Sequence, residues 1–334
     1  MSPPVRPDRV DQPLAPAFVK DPEEERFLEH LNAVLAPVEE AWYADHGDVG
    51  EPFPTVHVIG PPRSGTTLVT QLLTANLELA RITNLAAAFW AAPVHGLRLS
   101  QKLLGRSFPS SYASNFGRTD ALHEPHEFGY FWSRILGNAH LHEPADPDAT
   151  PIDWQRIRTV LTHMTVAAGA PVVFKSMMLG FYVQQVQRVL PRTVFVLVSR
   201  EPVDNALSVL KLRREYSGGE EVWSGLRARA GEAYVDAPVE LQAASQVVHV
   251  LDAYRASFAR AGHVGCLDVT YEEICADPES FLAGVQAVLR DRGAEVARTA
   301  HPLPALRAQR ASEARPGQRA AVQAAVEQLL AEVR

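Results

Sequence analysis

The stretch VHVIGPPRSGTTLVTQLL, residues 56–73, leaves little freedom to the fold that contains it. An apolar run (Val56, Val58, Ile59) enters a turn of Gly60, Pro61, Pro62, Arg63, Ser64 and Gly65. It leaves on Leu68, Val69, Leu72 and Leu73 at helical spacing. That pattern predicts strand, tight loop, helix. Such a loop points backbone N–H groups and the positive end of a helix dipole at one place, which suits an anion. The Gly60-x4-Gly65 spacing is that of a nucleotide-binding P-loop, yet Thr66 stands where a nucleotidase carries lysine.

The alternation continues along the chain. A helical pattern over 152–168 (Ile157, Val160, Leu161, Met164) leads into a short strand at 171–174, and LGFYVQQVQRVLPR reads as an amphipathic helix. Val194 to Val198 is apolar without interruption, as in a strand buried on both faces of a parallel sheet. Pro202 suits a first helical turn, with Asp204 placed to support that turn's N–H groups. A helix over about 238–260 and a last strand in HVGCLDVTYEEI follow. The fold class expected is α/β, a central parallel β-sheet flanked by helices. Residues 1–21 read as a flexible, proline-rich lead and 22–334 as one domain. It opens with an amphipathic helix whose apolar face is Phe27, Leu28, Leu31, Val34 and Leu35. Residues 85–150 form an insertion that would shape a substrate site, and 215–235 and 301–319 read as mobile loops suited to closing over a ligand.

A net charge of −7 argues against nucleic acid as the main partner, so any anion site must be local. Two cysteines, Cys266 and Cys275, are too few for a disulfide framework and read as reduced core thiols. No stretch has signal-peptide character, and no window reaches the roughly 20 apolar residues of a membrane span. A soluble cytoplasmic protein is expected, with homo-oligomerisation left open.

The second strand-to-helix junction carries a second clamp. Arg200 ends the strand at 194–199, and Ser208 lies two helical turns on, facing the same end of the sheet. Two anion clamps imply a ligand with two separated anionic groups. The bland alternatives are an Arg200 ion pair with Glu201 or Asp204, and a glycine turn without a ligand.

At these residues the chain resembles the sulfotransferases that use 3′-phosphoadenosine 5′-phosphosulfate (PAPS). PPRSGTT resembles their 5′-phosphosulfate loop and SREPVDNALS their 3′-phosphate motif. FKSMMLGFYVQQVQRVLPRTVFVLVSREP is similar to the block joining the two, and DVTYEEICADPESFLAGVQAVL to the late strand and helix. The likeness spans roughly residues 55–290 and is loose over 85–170. It implies a P-loop-type α/β domain and transfer of a sulfuryl group from PAPS to a hydroxyl or amine of a small molecule, leaving 3′-phosphoadenosine 5′-phosphate (PAP). By this resemblance Pro62, Arg63, Ser64, Gly65, Thr66 and Thr67 form the phosphosulfate loop, Arg63 taking the place of the loop lysine. Arg200 and Ser208 would hold the 3′-phosphate, with Arg315 and Gly317 of RPGQR in a late loop over it. Lys175 matches a lysine near the transferred group; its bland reading is a surface charge at a strand end.

A sulfuryl group carries less negative charge than a phosphoryl group, so its transfer needs positioning and positive donors but no magnesium clamp. No metal is expected. Many relatives carry a catalytic histidine two residues after the lysine, where this chain has Met177, so a base must come from elsewhere. LHEPHEFGYFW offers His123, Glu124, His126 and Glu127, with Glu127 and His126 ranked first because they begin the aromatic run Phe128 to Trp132. Those rings wall an acceptor pocket or belong to the core. The His-Glu-Pro-His-Glu spacing is not that of a helical zinc site. The acidic composition disfavours a polyanionic acceptor and suits a neutral or apolar alcohol or amine. Two competing readings are an ATP-dependent P-loop kinase, opposed by Thr66 and by Ser199 and Arg200 where a magnesium aspartate belongs, and a non-catalytic nucleotide-binding protein of the same fold.

Overall fold

The computed structural model describes residues 18–137 and 141–333. Five strands, all parallel, form one sheet: β1 (Thr55–Ile59), β2 (Ala80–Arg81), β3 (Val172–Lys175), β4 (Val194–Ser199) and β5 (Cys266–Thr270), in spatial order β2-β3-β1-β4-β5. Val56 of the central strand β1 faces Val173 on one side and Val194 on the other. Parallel neighbours require crossovers, and helices cover both sheet faces.

The period-2 alternation of the strands divides the core into two layers. Val56, Val58, Val173, Val194, Val196 and Val198 point to one face. There they meet α2 (Thr66–Asn76) through Val69, Leu72 and Leu73, and α11 (Pro278–Asp291) through Phe281, Leu282 and Val285. Ile59, Val172, Phe174, Phe195 and Leu197 point to the other face. They pack with α5 (Gly129–Leu136), α6 (Trp154–Ala168), α7 (Val183–Val189) and the second half of α9 (Val239–Arg260). His57, wholly buried between Phe174 and Phe195, is bonded by Ser176 Oγ at 2.8 Å and Thr55 Oγ1 at 3.1 Å. Burial pushes its pKa down to about 3, so the sheet centre carries no charge.

The remaining helices are α1 (Pro22–His46), α3 (Asn84–Ala87), α4 (Pro93–Leu104), α8 (Pro202–Tyr216), α10 (Tyr271–Ala276) and α12 (Gln318–Glu332). The helix expected near the N-terminus is α1, but it buries a different face. Phe27 is 58% exposed and Val34 is exposed too, whereas Glu25, Asn32, Glu39 and Tyr43 are buried. Glu39 explains the rotation. It accepts from the Tyr43 hydroxyl at 2.6 Å, from the Val94 amide at 2.8 Å and from the His95 ring, so a buried carboxylate is fully bonded where α1 meets the start of α4.

At the N-terminus of α8, Pro202 stands in the first turn, but the cap is the Glu201 side chain, which accepts from the Val203 and Asp204 amides. Asp204 instead anchors the late loop, accepting from Ala311 N at 3.1 Å and from Arg319 Nη2 at 2.7 Å. Cys275 is buried and Cys266 partly so. Of the N-terminal lead, residues 1–17 lie outside the described residues. No described helix is long and apolar enough to cross a membrane.

Candidate active site

All five strands run the same way, so their carboxyl ends form one edge, and side chains and loops that follow them converge there. The loop after β1 turns tightly, with Ser64 N bonded to Pro61 O at 3.2 Å, Arg63 at φ 68° and Gly65 at φ 106°. Gly60 and Gly65 are dictated by close approach. A Cβ on Gly60 would lie 2.3 Å from Val198 O and 2.5 Å from Ser64 Oγ, and one on Gly65 would lie 2.8 Å from the Tyr271 ring. The loop leads into α2 at Thr66 and Thr67, both buried, and Ser64 Oγ is buried without a hydrogen-bond partner among the described residues.

The loop after β1 meets the residues that follow β4. Arg63 Nε donates to Ser208 Oγ at 3.2 Å, Arg200 Nη1 donates to Arg63 O at 3.3 Å, and Asn205 Nδ2 donates to Pro62 O at 2.6 Å. Arg200 pairs with neither Glu201 nor Asp204. Its guanidinium lies 5.0 Å over the Tyr271 ring, and its buried Nε has no hydrogen-bond partner among the described residues. Burial and then the neighbouring Arg200 charge hold the Arg63 guanidinium below its usual pKa, while Glu127 pulls the other way. Neither arginine has an ion pair among the described residues.

Lys175 closes β3 and is 6% exposed, so it is no surface charge. Its Nζ lies 3.3 Å from Glu127 Oε2 and 3.4 Å from Gly117 O, and Thr67 Oγ1 lies 3.5 Å from the same carbonyl. Lysine, glutamate and the end of the loop after β1 thus form one cluster. Glu127 is 35% exposed and opens to solvent.

The other three base candidates have their polar atoms engaged elsewhere or lie apart from Lys175. His126 Nδ1 accepts from Phe128 N at 2.8 Å, which puts the ring proton on Nε2 and leaves no free lone pair. His123 stacks on Phe108 at 5.2 Å. Glu124 is buried, accepting from Ser111 N at 2.6 Å, from Ser110 Oγ at 2.9 Å and from Gln71 Nε2 at 3.1 Å. Burial alone would raise its pKa, but these hydrogen bonds outweigh it and hold the carboxyl below its ordinary value. A group of this kind contributes stability above its unfolded pKa, and the contribution is lost as pH falls through the folded value. Glu124→Gln is therefore expected to destabilise the fold by about 1–3 kcal/mol at pH 7. In urea unfolding the gap to the native protein should narrow below about pH 4. A gap that stays constant with pH would show that the ionised form is not what the site holds.

Phe128, Phe131 and Trp132 are core residues. Phe131 lines a cavity of about 350 Å³ with Tyr43, Trp90 and Val160, and that cavity contains none of Arg63, Lys175, Glu127 and Arg200. Arg315 is bonded to Glu220 at 2.7 Å and to Glu240. Gly317, at φ 80°, is the N-cap of α12. The late loop reaches the clamp through its backbone, Arg200 Nη2 donating to Gln309 O and Gln309 N to the Tyr271 hydroxyl. Asn205, Tyr271 and Gly117 are site neighbours that sequence reasoning missed. Tyr271 had a signal, since it follows a strand's carboxyl end.

A five-stranded parallel sheet with a glycine-bounded loop after its central strand defines a P-loop-type α/β fold. The chain belongs to the sulfotransferase family, whose model matches residues 54–290. Among solved structures it is similar to sulfotransferase STF1 from Mycobacterium tuberculosis H37Rv, at 17% identity, 80% of this chain, 76% of that chain and a TM-score of 0.48. It is also similar to sulfotransferase STF9 from Mycobacterium avium, at 15% identity, 95% of this chain, 79% of that chain and a TM-score of 0.46. The sulfotransferase domain of the Synechococcus PCC 7002 olefin synthase shows 15% identity over 74% of this chain and 76% of that chain, with a TM-score of 0.39. Curated proteins gave no match.

Proposed function

We propose that this sulfotransferase transfers a sulfuryl group from PAPS to a hydroxyl or amine of a small molecule, with Glu127 as general base. One contact carries the donor assignment. Arg63 Nε on Ser208 Oγ joins two motifs 145 residues apart, so one ligand can touch both. The residues suit a doubly anionic nucleotide. The orphaned Ser64 Oγ and Arg200 Nε are donors waiting for acceptors, and two guanidiniums without a carboxylate relieve their mutual repulsion by taking up an anion.

PAPS supplies an activated sulfuryl group, whose bond to the bridging phosphate oxygen breaks as the acceptor oxygen or nitrogen bonds to sulfur. Within the protein, Ser64, Gly65, Thr66 and Thr67 hold the 5′ end with hydroxyl and amide donors, and Arg200 and Ser208 hold the 3′-phosphate. Glu127 takes the proton of the acceptor, and Lys175, 3.3 Å away, offsets negative charge gathering on the leaving oxygen.

Melting temperatures test the donor. PAP should stabilise the protein well above ATP at equal concentration, with no effect of magnesium, because ATP leaves the Arg200–Ser208 end unfilled. Greater stabilisation by ATP with magnesium would sink the PAPS reading and favour phosphoryl transfer.

A further inference from the structure

The hairpin that brings Gly117 to Lys175 carries more than that carbonyl. Asn115 and Arg118 exchange both backbone bonds, at 2.8 and 3.0 Å, with Phe116 at φ 51° and Gly117 at φ 86° between them. Two positive φ values make this a type I′ turn, which glycine and asparagine enter freely and phenylalanine only under strain. Strain of this kind persists where the surroundings impose it, and it collects at working sites.

The surroundings are a shelf of rings. Phe116 lies beneath the Arg63 guanidinium at 5.4 Å and meets Phe18 edge-on at 6.0 Å, and Phe18 packs on Tyr216 at 4.8 Å. All three rings are only partly buried. Arg118, exposed, lies 4.8 Å over Tyr216 and 5.7 Å over Phe18. Among the described residues its guanidinium bonds only the Tyr216 hydroxyl, and no carboxylate pairs with it.

We propose that this shelf binds the acceptor, and that the acceptor is a ring-bearing hydroxyl compound with an anionic group. The inference rests on the sulfuryl-transfer reading above. The ring lies against Phe116, Phe18 and Tyr216, and the anion takes the free N–H groups of Arg118, which its stacking on two rings orients for a bidentate bond. The hydroxyl then points to Glu127. Gly117 supplies the connection, since it sits between Phe116 and Arg118 in the chain and its carbonyl lies 3.4 Å from Lys175 Nζ. The mouth is therefore locally cationic in a chain of net charge −7, and the neutral acceptor suggested by overall charge gives way to an anionic one.

The test compares 4-hydroxyphenylacetate with 4-methylphenol under saturating PAPS. The carboxylate is expected to have at least about tenfold higher kcat/KM, and Arg118→Gln should cut that ratio by about tenfold, as loss of a bidentate pair does. Phe116→Gly should raise KM for both probes without lowering the melting temperature, because glycine adopts φ 51° without strain. A ring with a merely structural role would lower the melting temperature and leave KM alone. Equal kcat/KM for the two probes, equal losses on both in Arg118→Gln, or no turnover of either by protein that binds PAP would each overturn the acceptor class. Failure to bind PAP would strike the donor reading instead.

Discussion

Glu127→Gln is expected to lower turnover by about 100-fold or more, with PAP binding within about twofold of the native protein. Glutamine keeps the size and the oxygen that lies 3.3 Å from Lys175 but cannot take a proton. The substitution also removes the ion pair with a buried ammonium, so some loss of stability accompanies the loss of rate, and the two are separated by measuring PAP affinity directly. His126→Asn is the control. Its Nδ1 is occupied by the Phe128 amide, so its loss should act on the start of α5 rather than on the proton. A Glu127→Gln enzyme with native turnover would remove Glu127 from the chemistry. If His126→Asn were the inactive one, the imidazole would have to turn away from Phe128 during reaction.

Arg200→Ala is expected to weaken PAP binding by about 2–4 kcal/mol, roughly 30- to 1,000-fold in Kd. The guanidinium is held by Arg63 O, by Gln309 O and by the face of Tyr271, so it needs no reorganisation to meet a phosphate. Its removal leaves that phosphate with Ser208 and the Arg63 bonded to it. Ser208→Ala should cost less, since a hydroxyl offers a single donor and no net charge where the guanidinium offers several donors and a positive charge. Calorimetry with PAP decides it. An unchanged Kd in Arg200→Ala would mean that this arginine serves only to tie the late loop to the sheet.

Arg315 shows what a motif leaves unsaid. RPGQR offers an arginine and a glycine late in the chain, and two carboxylates, Glu220 and Glu240, bond the guanidinium. Their positions depend on how the 217–228 segment and α9 pack. Asp204 is a similar case. Its place in a first helical turn suits capping, yet Glu201 reaches those amides and frees Asp204 for Ala311 and Arg319, more than 100 residues away in sequence.

What the sequence determined by itself is what local periodicity and local turn chemistry can encode. The apolar runs of β1, β3 and β4, the glycine-bounded loop before α2 and the proline that opens α8 each act over a few residues, so the sheet, its parallel sense, the placing of Arg63, Lys175 and Arg200 at or just after strand ends and that of Ser208 in the helix that follows β4 were legible. The tertiary structure alone decided which of four neighbouring acid–base side chains faces Lys175. It filled the lone pairs of Glu124 with Ser110, Ser111 and Gln71 and that of His126 with Phe128, and left Glu127 open to solvent. It also decided which face of α1 is buried, exposing Phe27 and burying Glu39, because the hydrogen bonds of Tyr43, Val94 and His95 remove the cost of an interior carboxylate. Some of the partners that set these outcomes are remote in sequence, as Gln71 is from Glu124 and Val94 from Glu39, and others, such as Phe128 for His126 and Tyr43 for Glu39, are near, but apolar periodicity encodes none of these bonds.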